Sequence, residues 1–324
     1  MSDLQKRPLG SSGLSTAPLV FGGNVFGWTV DREVSFQLLD AFVDAGFNAI
    51  DTADAYSRWV PGNTGGESET IIGEWLKARG RRDDVLILTK VGSSMGQNGA
   101  DDRNDLSPAW IEKAVEDSLR RLQTDVIDLY QSHWMDKFTA TDETLRAYER
   151  LIQAGKVRAI GASNHDAAKL REALSLADEK GLPRYQTIQP HYNLYSRSTF
   201  EGELQDLAVA EGLGVITYFS LEAGFLSGKY RSLAEAEQSK RGGGMLHDHF
   251  DERGVRILAV LDAVAQRNEA TPAQVALAWL LTRPGVTAPI VSATSSEQLA
   301  ETLKAATLPL TDEDLQELTE ASDA

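Results

Sequence analysis

The sequence predicts an α/β fold of the (β/α)8 TIM-barrel type, with an N-terminal β-hairpin and extra helices towards the C-terminus. Three observations carry that expectation. Short apolar runs alternate with amphipathic helical stretches from residue 18 onward, and parallel strands are the kind that need helical crossovers. The 324 residues suit one barrel, and no linker divides them, so 1–324 reads as a single domain. No G-x-G-x-x-G follows the first strand, which weakens the rival, an open doubly wound sheet.

The elements follow in order. Leu9-Gly10-Ser11-Ser12-Gly13-Leu14 reads as a tight hairpin placed to plug the barrel floor. Residues 18–22 form the first barrel strand. The first helix, 32–45, is apolar at Val34, Leu38, Leu39, Phe42 and Val43 and stops at Gly46. A strand at 48–51, a helix at 67–79 ended by Gly80, and a strand at 85–90 come next. Ser107 as N-cap and Pro108 at the first helical position open a helix whose apolar face is Ile111, Val115 and Leu119. The alternation continues as strand 126–131, helix 141–154, strand 157–161, helix 167–180, strand 187–189, helix 199–211 and strand 214–218. A long Gly-rich stretch, 220–253, precedes helices at 255–267 and 272–281, the last strand at 288–292 and its helix at 297–305. Thr311-Asp312-Glu313-Asp314 starts a final helix, acidic in its first turn as the helix dipole favours.

Composition narrows the partners. With 32 basic and 48 acidic residues the chain carries −16, which repels nucleic acid and anionic membrane. An anionic ligand would therefore need a locally basic site. The chain has no cysteine, which excludes disulfides, thiolate nucleophiles and cysteine-type zinc sites. Met1 to Arg7 contains no apolar segment of the signal-peptide kind, and no apolar run approaches the roughly 20 residues of a membrane span. A soluble, cytoplasmic protein is expected.

Active groups of such barrels lie at the C-terminal ends of the strands. Applied to these elements, that rule gathers Asp51, Tyr56, Lys90 and His133 at one mouth, with Ser163, Asn164, Gln189 and Tyr218 beside them. Singly, each has a bland reading: Asp51 a loop cap, Lys90 a solvated strand end, His133 a core histidine, Tyr56 packing. Their conjunction favours chemistry. A Lys90 ammonium held by Asp51 is expected to lower the pKa of the Tyr56 phenol and make it a general acid. His133 can orient a carbonyl by hydrogen bonding. None of the four is an electron source, so a reduction needs a bound hydride donor.

Three stretches resemble the aldo-keto reductase family, and the likeness runs along nearly the whole chain. Asn48-Ala49-Ile50-Asp51-Thr52-Ala53-Asp54-Ala55-Tyr56 resembles the signature that holds the family's catalytic Asp and Tyr. Leu88-Thr89-Lys90-Val91 resembles the strand bearing its Lys, and 125–133, ending Gln131-Ser132-His133, the strand bearing its His. The resemblance implies NAD(P)H-dependent, reversible reduction of aldehydes or ketones, with the tetrad on Asp51, Tyr56, Lys90 and His133. It implies that Ser163, Asn164 and Gln189 hold the nicotinamide carboxamide and that Tyr218 stacks on the ring. Leu221, Gly228 and Lys229 would lie over the pyrophosphate, and Ser292, Thr294 and Gln298 would hold the adenosine phosphate.

The sequence departs from the family pattern in places. Phe219-Ser220 replaces the usual Ser-Pro, Ile290-Val291-Ser292-Ala293 the usual Ile-Pro-Gly-Ala, and Thr302 a common Asn. Thr294 stands where a basic or hydroxyl residue is usual, so no cation is offered there to a 2′-phosphate. NADPH is expected as cofactor, with NADH possible. Ser57 to Gly66 is inserted before Glu67-Ser68-Glu69 and carries Trp59; with Trp28 and Trp134 it would wall a pocket for an apolar carbonyl substrate. His247-Asp248-His249 lacks a further ligand, so no metal is assigned. Arg241-Gly242-Gly243-Gly244 is read as a loop without a role at the cofactor phosphates. A monomer acting on a small carbonyl substrate is expected. The alternatives are a cofactor-binding partner like the family's potassium-channel β-subunits, and a Schiff-base aldolase using Lys90.

Overall fold

The computed structural model describes residues 4–95, 103–239 and 244–323. Eight parallel strands close into a barrel: β3 (Val20–Gly22), β4 (Ala49–Asp51), β5 (Leu86–Val91), β6 (Ile127–Ser132), β7 (Val157–Ser163), β8 (Tyr185–Gln189), β9 (Gly214–Thr217) and β10 (Val286–Val291), the last pairing with the first. Strand order follows chain order, as right-handed helical crossovers require. Outside the ring lie α1 (Arg32–Asp44), α2 (Glu67–Arg79), α3 (Pro108–Leu122), α4 (Thr141–Gln153), α5 (Ala167–Lys180) and α6 (Glu203–Ala210). The short α7 (Leu233–Glu237) precedes α8 (Glu252–Arg267), α9 (Pro272–Leu281), α10 (Ser296–Leu303) and α11 (Asp312–Ala321).

Local chemistry explains the helix boundaries. Ser107 caps α3 by accepting a hydrogen bond from the Trp110 amide, and Pro108 follows it. Thr271 and Thr311 each form a reciprocal capping box, on α9 and α11. Some expectations changed in the folded chain. The helix predicted at 199–211 begins only at Glu203, because the Thr199 hydroxyl donates to the Ser196 carbonyl and Gly202 turns at φ +91°. The stretch 220–253 is not structureless: it contains a 3-10 segment, Glu222–Ser227, and α7.

The hairpin is a plug, as its turn residues predict. Strands β1 (Arg7–Pro8) and β2 (Ser15–Thr16) pair antiparallel. Leu9 is fully buried in a cluster inside the barrel with Val20, Ala49, Leu88, Leu129, Ala159, Ile216 and Ala288. That apolar layer seals the bottom, so the polar strand ends above it open only upward. Gly10 makes the approach possible. It sits at φ +61°, and a methyl group there would collide with the Gln186 carbonyl. Gly10→Ala is expected to cost about 2–4 kcal/mol from the left-handed backbone and the backbone clash together. Urea midpoints of the two proteins check it.

Candidate active site

The polar groups meet where the barrel strands end. Asp51 closes β4, Lys90 is the penultimate residue of β5, and His133 follows β6 directly. Ser163 and Gln189 are the last residues of β7 and β8 and are register partners. The Lys90 ammonium, fully buried, donates to Asp51 Oδ2 at 2.6 Å, to the Thr52 carbonyl at 2.8 Å and to Tyr56 Oη at 2.8 Å. Its three N–H groups are thereby all engaged. Gln189 and Gln131 donate to Asp51 Oδ1 at 2.9 and 3.3 Å. The carboxylate is thus held by an ammonium and two amides in the dry interior.

This arrangement decides where the Tyr56 proton points. Its oxygen already accepts from Lys90. The remaining protein partner for its own O–H is Asp51 Oδ2, at 3.4 Å, an oxygen that already takes the shorter bond from Lys90. The phenol proton is therefore loosely held and available to a ligand in the cavity. The pKa expectation is corrected. Burial, and then the negative charge of Asp51, push the Tyr56 phenol well above its usual value, because the Lys90 charge is already committed to Asp51. Burial lowers the Lys90 pKa, and Asp51 opposes that shift. His133 is driven well below the usual histidine range by burial and by the charges of Lys90 and Arg58, so it is a neutral imidazole at pH 7. Its Nδ1 is buried without a protein partner.

Asp54, in the same loop, has a second uncommon environment. It is buried, Oδ1 has no partner, and burial and then Glu69 push its carboxyl up to about 8. Glu69 itself binds Arg121 at 2.7 Å and the Thr89 hydroxyl at 2.5 Å. The folded state holds a proton that the unfolded chain releases near pH 3.8, so stability falls as pH rises from about 4 to about 8, by up to about 1.4 kcal/mol per unit. Asp54→Asn is expected to flatten that fall. Its gain over wild type should be greatest near pH 8 and vanish near pH 4, measured as urea midpoints across the range.

A cavity of about 680 Å³ runs from these groups across the barrel mouth. Tyr56, His133, Trp59 and Trp134 line it together with Asn164, Gln189, Tyr218, Lys229, Ser292 and Gln298. Asn164, at φ +54°, donates to the His133 carbonyl at 2.9 Å and accepts from the Tyr218 hydroxyl at 2.7 Å, tying three strand ends together. Tyr218 is stacked on His191 at 5.3 Å between ring centres. Leu221 lines the cavity, as do Gly224 and Ser227 of the 3-10 segment.

Not every expected residue reaches the cavity wall. Gly228 does not line it; it turns the chain at φ +71° and so places Lys229. Thr294 does not line it either, but its amide and hydroxyl hold Gln298 Oε1 at 2.9 and 3.1 Å. Trp28 lies behind Trp59, edge to face at 5.5 Å, and supports it from outside. Asn24, bonded to Ser292 at 2.9 Å, and Arg58 line the cavity without having been anticipated. Arg58 was legible only as a basic residue two after Tyr56.

The insertion at 57–66 is a fixed wall. Ser57 turns at φ +69° and donates to the Phe26 carbonyl at 2.6 Å; Asn63 donates to the carbonyls of Gly27 and Ser57 at 3.2 and 3.0 Å. His247 and His249 do not converge. His247 is exposed and pairs with Asp248, while His249 packs inward on Tyr195 and reaches Glu222 at 3.3 Å. Among the described residues no group of three or more His, Cys, Asp or Glu is arranged to hold a metal. Residues 241–243 of the Arg241–Gly244 stretch lie outside the described residues. No described helix is long and apolar enough to cross a membrane.

The cavity can be tested against a nicotinamide dinucleotide. Its lining offers the amide groups of Asn164 and Gln189 and the hydroxyl groups of Ser163 and Tyr218. Among the described residues its wall includes one acid, Asp51, which Lys90 neutralises, whereas Arg58 and Lys229 add positive charge. In a chain of −16 this is the locally basic site that an anionic cofactor requires, and the residues fit it.

Comparison with known proteins agrees. The model of the Aldo/keto reductase family matches residues 18–323. The chain is 36% identical to the uncharacterized oxidoreductase YrpG of Bacillus subtilis (strain 168), covering 96% of this chain and 93% of that protein. It is 33% identical to a probable voltage-gated potassium channel subunit beta of Oryza sativa subsp. japonica, over 93% and 91% of the two chains. It is 30% identical to norsolorinic acid reductase of Aspergillus flavus, over 96% and 79%.

Proposed function

The chain belongs to the aldo/keto reductase family, and on that premise we propose that it is an NADPH-dependent, cytoplasmic enzyme, acting as a monomer, that reversibly reduces aldehydes or ketones to alcohols, with Tyr56 giving the proton. The observation that supports this reading best is the hydrogen-bond arrangement at Tyr56. Its oxygen accepts from Lys90, so its own proton is left for a substrate oxygen.

A bound reduced nicotinamide supplies the hydride. Ser163, Asn164 and Gln189 would hold its carboxamide, and Tyr218 would pack on its ring. Gln189 also braces Asp51, which couples the cofactor seat to the tetrad. Leu221, Gly228 and Lys229 would cover the pyrophosphate. Ser292 and Gln298, the latter fixed by Thr294, would meet the adenosine phosphate. His133, neutral and beside the cavity, would donate a hydrogen bond that orients the carbonyl. Tyr56 transfers its proton to the developing alkoxide, and the phenolate left behind is met at 2.8 Å by the Lys90 ammonium. Trp59 and Trp134 would exclude water from the substrate.

Binding titrations of NADPH and NADH, followed by aldehyde and ketone panels, test the proposal. NADPH is expected to bind more tightly and to be consumed mole for mole with carbonyl reduced. Tight binding with no turnover of any carbonyl would favour a cofactor-binding partner role instead, the reading suggested by the relatives named as channel subunits.

A further inference from the structure

The cavity holds a cation that this reading leaves without a task. Arg58 lies two residues after Tyr56, lines the cavity, and its charge acts on His133. Lys229, the cation suited to cofactor phosphate, belongs to the chain after β9, whereas Arg58 belongs to the chain after β4. Around the ring β9 neighbours β8 and β10, and β4 neighbours β3 and β5, so the two charges enter from different sides of the mouth. Arg58 is half-buried, and its guanidinium makes no hydrogen bond or ion pair among the described residues. Several other arginines are paired with buried carboxylates. Arg82 and Arg158 hold Asp128, Arg121 holds Glu69, and Arg267 holds Asp314.

Its position is fixed rather than incidental. Ser57 before it is anchored to Phe26, Trp59 after it packs on Trp28, and Asn63 closes the loop onto Gly27 and Ser57. A guanidinium held on a braced loop loses little freedom on binding, so its fork is preorganised for a planar anion. Its field reaches the reacting end, where it helps to keep His133 neutral. In a protein of −16, an Arg in the cavity wall with no ion-pair partner among the described residues also favours an anion there.

We propose that Arg58 is a specificity-determining residue for substrates that carry an anionic group, a carboxylate or a phosphate monoester, at a distance from the carbonyl being reduced. The carbonyl faces Tyr56 and His133, and the anion is met by Arg58. This rests on the reductase reading above and names its substrate class.

The test compares matched pairs with wild type, Arg58→Met and Arg58→Lys. One pair is 4-carboxybenzaldehyde and its methyl ester; the other is glyceraldehyde 3-phosphate and glyceraldehyde. In wild type the charged member of at least one pair should have the higher kcat/KM, and which pair shows it identifies the anion. Arg58→Met should reduce the charged-to-neutral ratio about 10–100-fold, the scale of a charge-assisted bidentate contact, mainly through KM. Arg58→Lys should fall between. The wild-type preference should shrink with added salt. An unchanged ratio in Arg58→Met overturns the proposal. So does a loss of NADPH affinity in that variant with the ratio preserved, which would assign Arg58 to the cofactor phosphate. Calorimetry of 4-carboxybenzaldehyde and glyceraldehyde 3-phosphate separates this from the reductase reading. Binding that depends on Arg58 without any turnover would sink the reductase reading and keep the anion site.

Discussion

Tyr56→Phe is expected to lower kcat for carbonyl reduction by about 10²–10⁴-fold, the usual contribution of a positioned general acid, while NADPH still binds. The change removes one oxygen and keeps the ring, so the edge contacts with Trp59 and His133 persist and the loop stays in place. The lost step is proton delivery to the alkoxide. A pH profile gives a second readout. Burial and the Asp51 charge hold the Tyr56 proton well above its ordinary value, so the acid stays loaded across the neutral range. Reduction by wild type should accordingly stay level from about pH 6 to pH 9, and alcohol oxidation, which needs the phenolate, should rise with pH over that span. Undiminished turnover in Tyr56→Phe, measured under single-turnover conditions, would remove the residue from the chemistry.

The direction of that shift is where reading from sequence was least able to foresee the site. The sequence places a lysine, an aspartate and a tyrosine at neighbouring strand ends, and that much follows from the alternation of apolar strands with helices. It cannot tell how one ammonium divides its attention. In the folded protein Lys90 lies 2.6 Å from Asp51 and 2.8 Å from Tyr56, and the carboxylate absorbs its field. The result is a phenol that holds its proton until a substrate oxygen arrives. Distance and burial set that balance, and neither is written in a spacing.

The barrel itself was much more legible. Strand ends at Asp51 and Gln189 follow from periodicity, β5 and β7 run one and two residues past the ends expected at 90 and 161, and the hairpin plug follows from its paired glycines. Structure between elements was harder to read. The 3-10 segment Glu222–Ser227 has Ala223 and Gly224 at positive φ, a path that no periodic pattern announces. Glu222, buried there, binds His191 at 2.7 Å and His249 at 3.3 Å, and its carboxyl is lowered to about 2. His249 thus serves a long-range contact that the His-x-His spacing conceals. Arg58 was hidden for the same reason: only the folded loop shows that it lines the cavity and that its guanidinium has no partner among the described residues.

Lys90→Met should be the most damaging single change to the fold among the tetrad. It leaves the Asp51 carboxylate buried without a counter-charge, held by the Gln131 and Gln189 amides and the Tyr56 hydroxyl. Removing one member of a buried ion pair costs about 3–5 kcal/mol, because the other charge stays desolvated. Turnover should fall as well, since no ammonium remains to receive the phenolate. Those two losses have separate causes, and the double variant Asp51→Asn with Lys90→Met distinguishes them. Neutralising both partners removes the stranded charge, so the urea midpoint should return most of the way to wild type, while reduction stays depressed. Recovery of both would make Lys90 a structural residue only. The same protein decides the aldolase alternative. Lys90 has its three donors engaged and is paired at 2.6 Å, a poor state for attack on a carbonyl. Borohydride treatment of wild type with an aldehyde should leave no mass adduct on Lys90, and an adduct that disappears in Lys90→Met would overturn the assignment of that lysine to proton chemistry.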